Sequence, residues 1–428
     1  MPRTLTALLA LALLALAAAP AAYAKPGRGA CEPGDPSSRT CLIWTGKVKF
    51  IADGDTIDVD IDGDGTKHAF PIRVAGYNAP ELGRYSKYPN RRRNRKGSCR
   101  GVEATAAFER ALRKSHMRVR LAALHASSRS GRSRLRRSVQ VKVGGRWVDN
   151  GPNMLRRGLA LWLPNQTETA WNKLYSTLAQ EAQAKKVGLW STTECGAGPE
   201  AGAQLRLRIK WDADGNDAHN INGEWIEVTN LDATKPVNVG GWTIRVSDLR
   251  HLVLPSFAQI PAGGHIRIHM GRGKAHDTSF YFGSKHAFFG PSGEGAYLFD
   301  PKGDPRAWML YPCRFACTDP LDGALRLQAS PIGQDEYVTI RNIGSSPADL
   351  NSYYLELPFH EYPFGSNSIV QPGETMRVDI QGNPNRDTRL RRFYGFNSYM
   401  LTDSGQRVRI QAYNDLVIAC DAWGNFSC

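Results

Sequence analysis

The chain has 428 residues, with 55 Lys and Arg against 40 Asp and Glu and a formal net charge of +15. Its length predicts two to four domains, and no segment after the N-terminus approaches the roughly 20 apolar residues of a membrane-spanning helix. The positive charge is concentrated in residues 73–157, which contain 23 basic and four acidic residues, whereas residues 200–428 contain 22 basic and 25 acidic. A solvated face is the usual explanation of a charge run, but charge this one-sided destabilises a compact region and favours a polyanionic partner.

The N-terminus predicts a signal peptide over residues 1–24. Arg3 supplies the positive charge, residues 5–18 are apolar, and Ala22-Tyr23-Ala24 is a small-residue cleavage site. A membrane anchor is the alternative, but the apolar run is too short to span a bilayer. We therefore expect a secreted, extracellular protein that begins with a loop-rich lead-in over residues 25–44.

Eight cysteines, an even number, suit an oxidising compartment. They lack C-x-x-C spacing with a matching histidine pair, which argues against structural zinc. Eight cysteines allow 105 pairings. Nearest neighbours along the chain suggest Cys31–Cys41, Cys99–Cys195, Cys313–Cys317 and Cys420–Cys428.

Alternation of apolar and polar residues over 45–61 predicts the strands of a hairpin. The Asp-Gly pairs at 62–65 would form its tip, and residues 68–79 the next strand. The spacing of Asp60, Asp62 and Asp64 also resembles a calcium loop, but the glutamate that closes an EF-hand loop is missing. A turn is the better interpretation.

Residues 84–100 contain eight basic residues and no acidic one, which predicts an exposed loop. A helix is predicted over residues 102–114, strands over 117–124 and 137–143, and helices near 150–157 and 169–187. Small antiparallel strands with a few helices favour a mainly β domain over residues 45–195, with the five-stranded Greek-key barrel called the OB-fold.

Residues 196–203 have the composition of a linker, and the chain beyond them repeats itself. The segment 223–230 recurs at 335–342, an offset of 112, and the segment 261–268 recurs at 372–379. Two copies of short alternating strands predict two immunoglobulin-like β-sandwiches, over residues 204–320 and 321–428.

Two segments near the start of the barrel contain residues with catalytic chemistry. Residues 51–57 include Asp55, and residues 72–81 include Arg73 and Glu81. A carboxylate that can hold a divalent cation, a guanidinium that can bind phosphate and a carboxylate that can activate water are parts of a phosphodiester hydrolase. Each also has a structural explanation: a strand-end turn for Asp55, a solvent-facing position for Arg73 and a helix N-terminal acid for Glu81.

These motifs resemble the thermonuclease family, the calcium-dependent nucleases with the micrococcal-nuclease barrel. The resemblance covers about 45–190. Its parts are Asp53-Gly-Asp-Thr56, Arg73 followed by Pro80-Glu81, Gly101-Val-Glu-Ala104, Met154-Leu-Arg-Arg-Gly-Leu-Ala160 and the stretch 181–190. It implies a calcium-dependent nuclease that hydrolyses DNA or RNA with little sequence preference.

The resemblance also implies roles for individual residues. Asp55, Asn78 and the backbone carbonyl of Ala79 would be calcium ligands. Glu81 would be the general base, Arg73 would contact the phosphate, and a second catalytic arginine would fall on Arg137, although four arginines near it leave that register open.

Asn78 stands where the family has a carboxylate ligand. An amide oxygen can bind calcium but removes a formal charge, and ligand charge tunes affinity over orders of magnitude. Three outcomes are open: a weak calcium site, rescue by Asp53 or Asp58, or lost catalysis with retained binding.

Two basic segments are expected to bind the nucleic-acid backbone without reading its sequence. The expected contacts are Arg84, Lys87, Tyr88, Arg91, Arg92 and Arg93 in the first segment, and Arg132, Arg134 and Arg136 in the second. Trp162 and Tyr88 could stack on bases, although a tryptophan in such an apolar stretch is more often part of the core.

The later repeats resemble lamin-tail domains, the immunoglobulin-like modules appended to secreted hydrolases. The resemblance is carried by residues 222–228 and by Gly240-Gly-Trp-Thr243. It implies a role in adhesion or targeting but gives no ligand. Cell-surface polymers are the partners we expect for these two domains. The alternative for the whole chain is a non-enzymatic protein that binds extracellular nucleic acid or anionic wall polymers.

Overall fold

The structure of the protein is a computed structural model. It describes residues 24–428 except 83, 86–92, 95–96, 132, 192, 196–197, 214–216, 332, 334 and 359, and for residues 84–85 and 93–94 only the backbone. The described chain is mainly β, with several sheets and three α-helices. Buried apolar side chains form three clusters, which divide it into an N-terminal region (24–195), a middle region (198–320) and a C-terminal region (321–428).

Most of the N-terminal region belongs to one eight-stranded sheet and three helices. Its strands are Gly27–Ala30 (β1), Thr40–Ile51 (β2), Thr56–Ile61 (β3), Ala69–Val74 (β4), Tyr77–Asn78 (β5), Arg84–Tyr85 (β6), Arg93–Asn94 (β7), Arg118–Ala123 (β8), Arg129–Ser130 (β9), Arg134–Val143 (β10), Arg146–Asp149 (β11) and Leu161–Trp162 (β12). Its helices are Gly101–Lys114 (α1), Gly151–Arg156 (α2) and Asn172–Ala184 (α3), with 3-10 turns at Thr169–Trp171 and Gly188–Trp190.

Five of these strands close on themselves. β2 pairs with β3, β3 with β4, β4 with β10, β10 with β8, and β8 again with β2, and only the pairing of β4 with β10 is parallel. Closure leaves no open edge among the five strands. The alternating burial of β2 sends Trp44 and Val48 into the interior while Thr45 and Lys47 face solvent.

Helix α1 covers one end of the ring because its apolar residues recur at helical spacing. Ala104, Phe108 and Leu112 are fully buried on one face, while Glu109 and Arg113 form an ion pair on another part of the helix surface. Spacing of three and four residues places side chains on the same helix face. The helix predicted over 102–114 is confirmed within one residue.

The middle region contains two four-stranded sheets that share one apolar core. Its strands are Leu205–Lys210 (β13), Trp225–Asn230 (β14), Val237–Asn238 (β15), Thr243–Val246 (β16), His251–Val253 (β17), Gln259–Ile260 (β18), His265–His269 (β19), Ser279–Tyr281 (β20), Glu294–Phe299 (β21) and Pro305–Tyr311 (β22), with a 3-10 turn at Ile221–Gly223. One sheet has the order β13-β14-β19-β20 and the other β17-β16-β21-β22.

The C-terminal region repeats this arrangement. Its strands are Leu325–Ser330 (β23), Tyr337–Asn342 (β24), Ala348–Asp349 (β25), Tyr354–Leu357 (β26), His360–Pro363 (β27), Ile369–Val370 (β28), Thr375–Asp379 (β29), Arg391–Phe393 (β30), Gln406–Gln411 (β31) and Val417–Trp423 (β32), with a 3-10 turn at Pro384–Arg386. Its sheets have the orders β23-β24-β29-β30 and β27-β26-β31-β32.

Equivalent glutamate side chains of the two repeats make equivalent hydrogen bonds. The carboxylate of Glu224 accepts from the backbone N–H groups of Phe288 and Phe289, at 2.6 and 3.2 Å. Glu336, 112 residues later, accepts in the same way from Met400 and Leu401, at 2.7 and 3.0 Å. Each glutamate thus ties the residue just before β14 or β24 to a distant loop.

The N-terminal and middle regions share part of one apolar cluster. The Trp190 ring lies 6.0 Å from the ring of Tyr297 and 4.9 Å from that of Trp308, centroid to centroid. The side chain of Gln180 in α3 donates to the carbonyl of Pro312 at 2.9 Å and accepts from the N–H of Arg314 at 2.6 Å. These contacts hold the middle region against the face of the ring that carries α2 and α3.

All four suggested cysteine pairings are confirmed, and every cysteine is paired. The pairs are Cys31–Cys41, Cys99–Cys195, Cys313–Cys317 and Cys420–Cys428. Within the described residues, no helix has the length and apolar character needed to cross a membrane.

One predicted strand is corrected. Residues 68–79 form two strands, β4 and β5, because the chain turns at Gly76, which has a φ of 83°. A Cβ there would lie 2.5 Å from the ring of Tyr175. Glycine is therefore required both by the positive φ and by the close approach of this ring. Within 84–100, predicted as a loop, β6 and β7 pair as a short ladder.

Candidate functional site

Asp55 lies at the end of the tight turn between β2 and β3. Its side chain is 2% exposed. One carboxylate oxygen accepts from the backbone N–H of Ala79 at 2.7 Å and the other from the hydroxyl of Thr56 at 2.9 Å. Its backbone carbonyl accepts from the N–H of Val74 at 2.8 Å. The turn is therefore bonded to both β4 and the segment after β5.

Gly54 allows this turn to approach its neighbours. A Cβ on Gly54 would lie 2.7 Å from the Cβ of Ala79 and 3.3 Å from backbone and side-chain atoms of Ala104 in α1. The hydroxyl of Tyr77 also donates to the Gly54 carbonyl, at 3.3 Å. The Asp-Gly-Asp run thus meets a packing requirement as well as supplying carboxylates.

Arg73 joins the two segments that the sequence singled out. Its guanidinium, on a side chain 6% exposed, makes an ion pair with Asp55 through Nη1 and donates through Nη2 to the side-chain oxygen of Asn78. The attraction between a buried arginine and the carboxylate that it donates to offsets much of the free-energy cost of desolvating both charges. Asp55, Arg73 and Asn78 consequently form one connected cluster.

Asn78 is held by the short ladder of β5 with β12, where it lies opposite Leu161. It is 3% exposed, and its amide nitrogen donates to the carbonyl of Ala79 at 3.1 Å. The three predicted calcium ligands, Asp55, Asn78 and Ala79, are thus brought together.

Glu81 follows the cluster along the chain and is partly exposed. Its carbonyl accepts from the N–H of Ser98 at 3.0 Å. A Cβ on Gly101 would lie 2.4 Å from that same carbonyl oxygen, so the first residue of α1 has to be glycine for the helix to start there. Disulfide Cys99–Cys195 fixes the chain just before this point.

Asp53 adds a second buried carboxyl beside Asp55. Burial raises its pKa to about 7, and the charges of Asp55 and Glu81 act in the same direction, against the opposing effects of the Asp55 N–H bond and of Arg73. Its Oδ1 accepts that N–H at 3.0 Å. The end of the ring therefore concentrates three acidic side chains and one buried arginine.

The register of β10 against β4 determines which second arginine lies near Arg73. Arg136 lies opposite Arg73 in the parallel pairing of β10 with β4, so both side chains emerge on the same face. Burial lowers the pKa of Arg136, and among its neighbours Glu168 raises it whereas Arg73 and Arg134 lower it. Arg136 is therefore the second guanidinium near Arg73.

Arg137, which was predicted for this role, is not brought to the cluster. Neighbouring residues of a strand face opposite sides, and its guanidinium carbon lies 4.5 Å from the ring centroid of Trp44. It donates to the carbonyls of Ala126, Ser128 and Arg136 at 2.8, 3.0 and 2.7 Å. Burial lowers its pKa to about 10. Its donors are thus engaged in holding the 126–128 loop.

The predicted cation site can be tested against these bonds. Its donors are oxygens, the type that calcium prefers, but Asp55 and Asn78 both accept from Arg73, and Ala79 accepts from Asn78. Among the described residues no group of three or more His, Cys, Asp or Glu is arranged to hold a metal ion. A calcium ion at this position would compete with Arg73 for the side-chain oxygens of Asp55 and Asn78, and with the Asn78 amide for the carbonyl of Ala79.

The nucleic-acid residues predicted from the basic segments are only partly described. Lys87, Tyr88, Arg91, Arg92 and Arg132 lie outside the described residues, and only the backbones of Arg84 and Arg93 are described. Arg134 and Arg136 are partly exposed on β10. Trp162 is 1% exposed, which supports its interpretation as a core residue.

The prediction from the sequence did not place Arg136 beside Arg73, although it included Arg136 among the expected nucleic-acid contacts. The signal is the register of β10 against β4, two strands separated by about 60 residues, which no local pattern encodes. No protein-family model and no curated protein matches this chain, so its function has to be inferred from the residues of the site.

Proposed function

We propose that this protein is a secreted nuclease that hydrolyses the phosphodiester bonds of DNA or RNA. The N-terminal region would be a thermonuclease-like OB-fold. The middle and C-terminal regions would be lamin-tail-like, immunoglobulin-like sandwiches that attach the enzyme to a surface. The closed ring of five strands and the two paired-sheet repeats support these assignments, and the four disulfides support export.

The observation that carries the proposal is the meeting of Arg73 and Arg136 beside the carboxylates of Asp55, Asp53 and Glu81. Two planar guanidiniums on adjacent strands match the non-bridging oxygens of a phosphate, which they can bind in a bidentate manner. The surrounding net charge of +19 over 73–157 would attract a polyanion to this end of the ring.

The chemistry assigned to these residues is a hydrolysis. Glu81, which is partly exposed, would take a proton from water as the water oxygen forms a bond to phosphorus and the phosphorus–oxygen ester bond breaks. Arg136, with Arg73, would stabilise the charge that develops on the phosphoryl oxygens. The alkoxide leaving group would take its proton from solvent.

The experiment that tests the proposal is cleavage of single-stranded DNA by the chain 25–428, in calcium and in EDTA. We expect calcium-dependent cutting that falls by about 100-fold or more in Glu81→Gln, because a positioned general base contributes on that scale. Glu109→Gln, which removes the same charge from the surface ion pair with Arg113 on α1, is the matched control. Unchanged cutting by Glu81→Gln would refute the role given to this residue.

A second function is favoured by one specific observation. Arg73 bonds both Asp55 and Asn78, so the cluster is internally neutralised without a metal ion. A ring in this state would be a basic module that binds extracellular nucleic acid or anionic polymers and does not cut them. Salt-sensitive retention of DNA without cleavage, equal for the wild type and Glu81→Gln, would establish this function in place of the first.

A further inference from the structure

The middle region contains a half-buried arginine, Arg245, two of whose guanidinium nitrogens are buried without a hydrogen-bond partner among the described residues. Arg245 lies on β16, and these nitrogens are its Nε and Nη2 atoms. Burying an unpaired charge is costly, and most buried guanidiniums are paired. Such a group is a candidate for binding an anion.

The contacts of β16 and β21 place Arg245 against the N-terminal region. Arg245 lies opposite Tyr297 in the pairing of β16 with β21, and the Tyr297 ring lies 6.0 Å from that of Trp190. At the start of β21, a Cβ on Gly293 would lie 2.9 Å from the ring of Trp162. Trp162 belongs to β12, the strand that holds Asn78 through β5. The strand pair β16–β21 therefore covers the ladder that carries the cluster.

The charges that act on Arg245 include those of three residues of the candidate site, Arg73, Glu81 and Asp55. Burial lowers its pKa most; among its neighbours Tyr297, Glu81 and Asp55 raise it and Arg73 lowers it. Arg73 already donates to Asp55 and Asn78, whereas the Nε and Nη2 atoms of Arg245 have no hydrogen-bond partner among the described residues. A phosphate at this point would satisfy Arg245 and relieve its repulsion with Arg73.

A cleft between the N-terminal and middle regions includes Arg136, the second arginine of the candidate site. It has a volume of about 360 Å³ and is lined by Arg136 and Thr167 from the N-terminal region and by Arg250 and Ser292 from the middle region, among others. Its acids are Asp248, which is paired with Arg250, and Glu294, whose carboxyl is buried. The basic and hydroxyl side chains that line it are the groups that contact a phosphate backbone.

We propose that Arg245 is a phosphate-binding residue that the middle region contributes to the site of the N-terminal region, so that the site is composite and takes a phosphodiester chain between the two regions. This inference rests on the proposed function, since it names a further residue of that site. The middle region is then part of the nucleic-acid site in addition to any role in attachment.

The test compares Arg245→Met with Arg326→Met, which removes the same charge from an exposed position on β23. Fluorescence anisotropy of a labelled single-stranded dT12 in EDTA, from 50 to 300 mM NaCl, reports affinity. We expect Arg245→Met to weaken binding by about tenfold or more and to reduce the slope of log K against log [salt] by about 0.7, the value for one contact to a single strand. Arg326→Met should retain the wild-type affinity and slope.

Thermal unfolding with and without sodium pyrophosphate provides the second readout. Without anion, the melting temperature of Arg245→Met should equal or exceed that of the wild type, because an unpaired buried charge is removed. Pyrophosphate should raise the melting temperature of the wild type and of Arg326→Met but not that of Arg245→Met. A purely structural arginine would give the opposite result, a less stable variant with unchanged anion response.

The outcomes separate this inference from the proposed function. If the wild type binds dT12 and Arg245→Met matches Arg326→Met, the composite site is refuted and the nuclease proposal stands. If only pyrophosphate binds, and only when Arg245 is present, the anion site stands and the nucleic-acid function fails. Binding of neither probe refutes both. Should Arg245→Met not fold, Arg245→Lys with wild-type affinity would refute the inference, and weakened affinity would support it.

Discussion

Asn78 decides whether the cluster can hold a divalent cation, and Asn78→Asp is the perturbation that tests it. In the wild type, Arg73 is shared between one carboxylate and one amide oxygen, so the three groups carry no net charge. The substitution places a second carboxylate against the same guanidinium and makes the net charge −1. Since ligand charge tunes calcium affinity over orders of magnitude, we expect the dissociation constant to fall by about 10- to 100-fold.

The expected increase in stability on adding calcium can be calculated, because a ligand that binds only the folded state raises the free energy of unfolding. A wild-type dissociation constant of about 10 mM would give about 0.4 kcal/mol of stabilisation in 10 mM calcium, and one of about 0.1 mM in the variant would give about 2.7 kcal/mol. At about 2–4 °C per kcal/mol, these are shifts in melting temperature of roughly 1 °C and 5–10 °C. Both are measurable by thermal unfolding.

The assay is the change in melting temperature on adding 10 mM calcium chloride, with magnesium chloride at the same concentration to account for screening. Asn351→Asp makes the same charge change at an exposed turn of the C-terminal region and is the matched control. If Asn78→Asp responds to calcium no more than Asn351→Asp, Asn78 is not a ligand position and the cation site predicted from the sequence is wrong. A response accompanied by faster DNA cleavage than in the wild type would show that residue 78 limits activity in the wild type.

Three further predictions concern the frame around the site. Burial raises the pKa of the Glu294 carboxyl in the folded protein from 4.5 to about 8. The folded state therefore has its full stability below pH 4.5 and loses stability as the pH rises through 8. At pH 9, Glu294→Gln should be more stable than the wild type by on the order of 4 kcal/mol, and equal urea midpoints at pH 9 would contradict this. Replacing Cys99 and Cys195 by serine removes a disulfide that spans 96 residues and should lower the free energy of unfolding by about 4 kcal/mol. Urea unfolding under non-reducing conditions measures this loss, and a loss below about 1 kcal/mol would argue against the disulfide. Trp190→Ala removes the ring that packs on Tyr297 and should cost about 3–5 kcal/mol, and an unchanged urea midpoint would show that the two regions are not packed there.

Local patterns predicted the elements whose signals are local. The helical spacing of α1 and the repeat at an offset of 112 both correspond to features of the structure. The cysteine pairs were also predictable, because three of the four bridges close short loops. The strand predicted over 68–79 is interrupted because Gly76 meets the ring of Tyr175, about 100 residues later in the chain.

The sequence alone indicated which residue types meet at the candidate site. The Asp-Gly-Asp turn, Arg73, the amide of Asn78 and the acid Glu81 lie in two short segments of the chain, 53–55 and 73–81. Only the tertiary structure decided how they are connected. Arg136 faces Arg73 because β10 pairs with β4 in one register, since a shift by one residue reverses every side chain of a strand. Arg245 lies against the N-terminal region because the middle region packs on that region through Trp190 and Tyr297. Both relations depend on packing between distant segments, which no local pattern in the chain records.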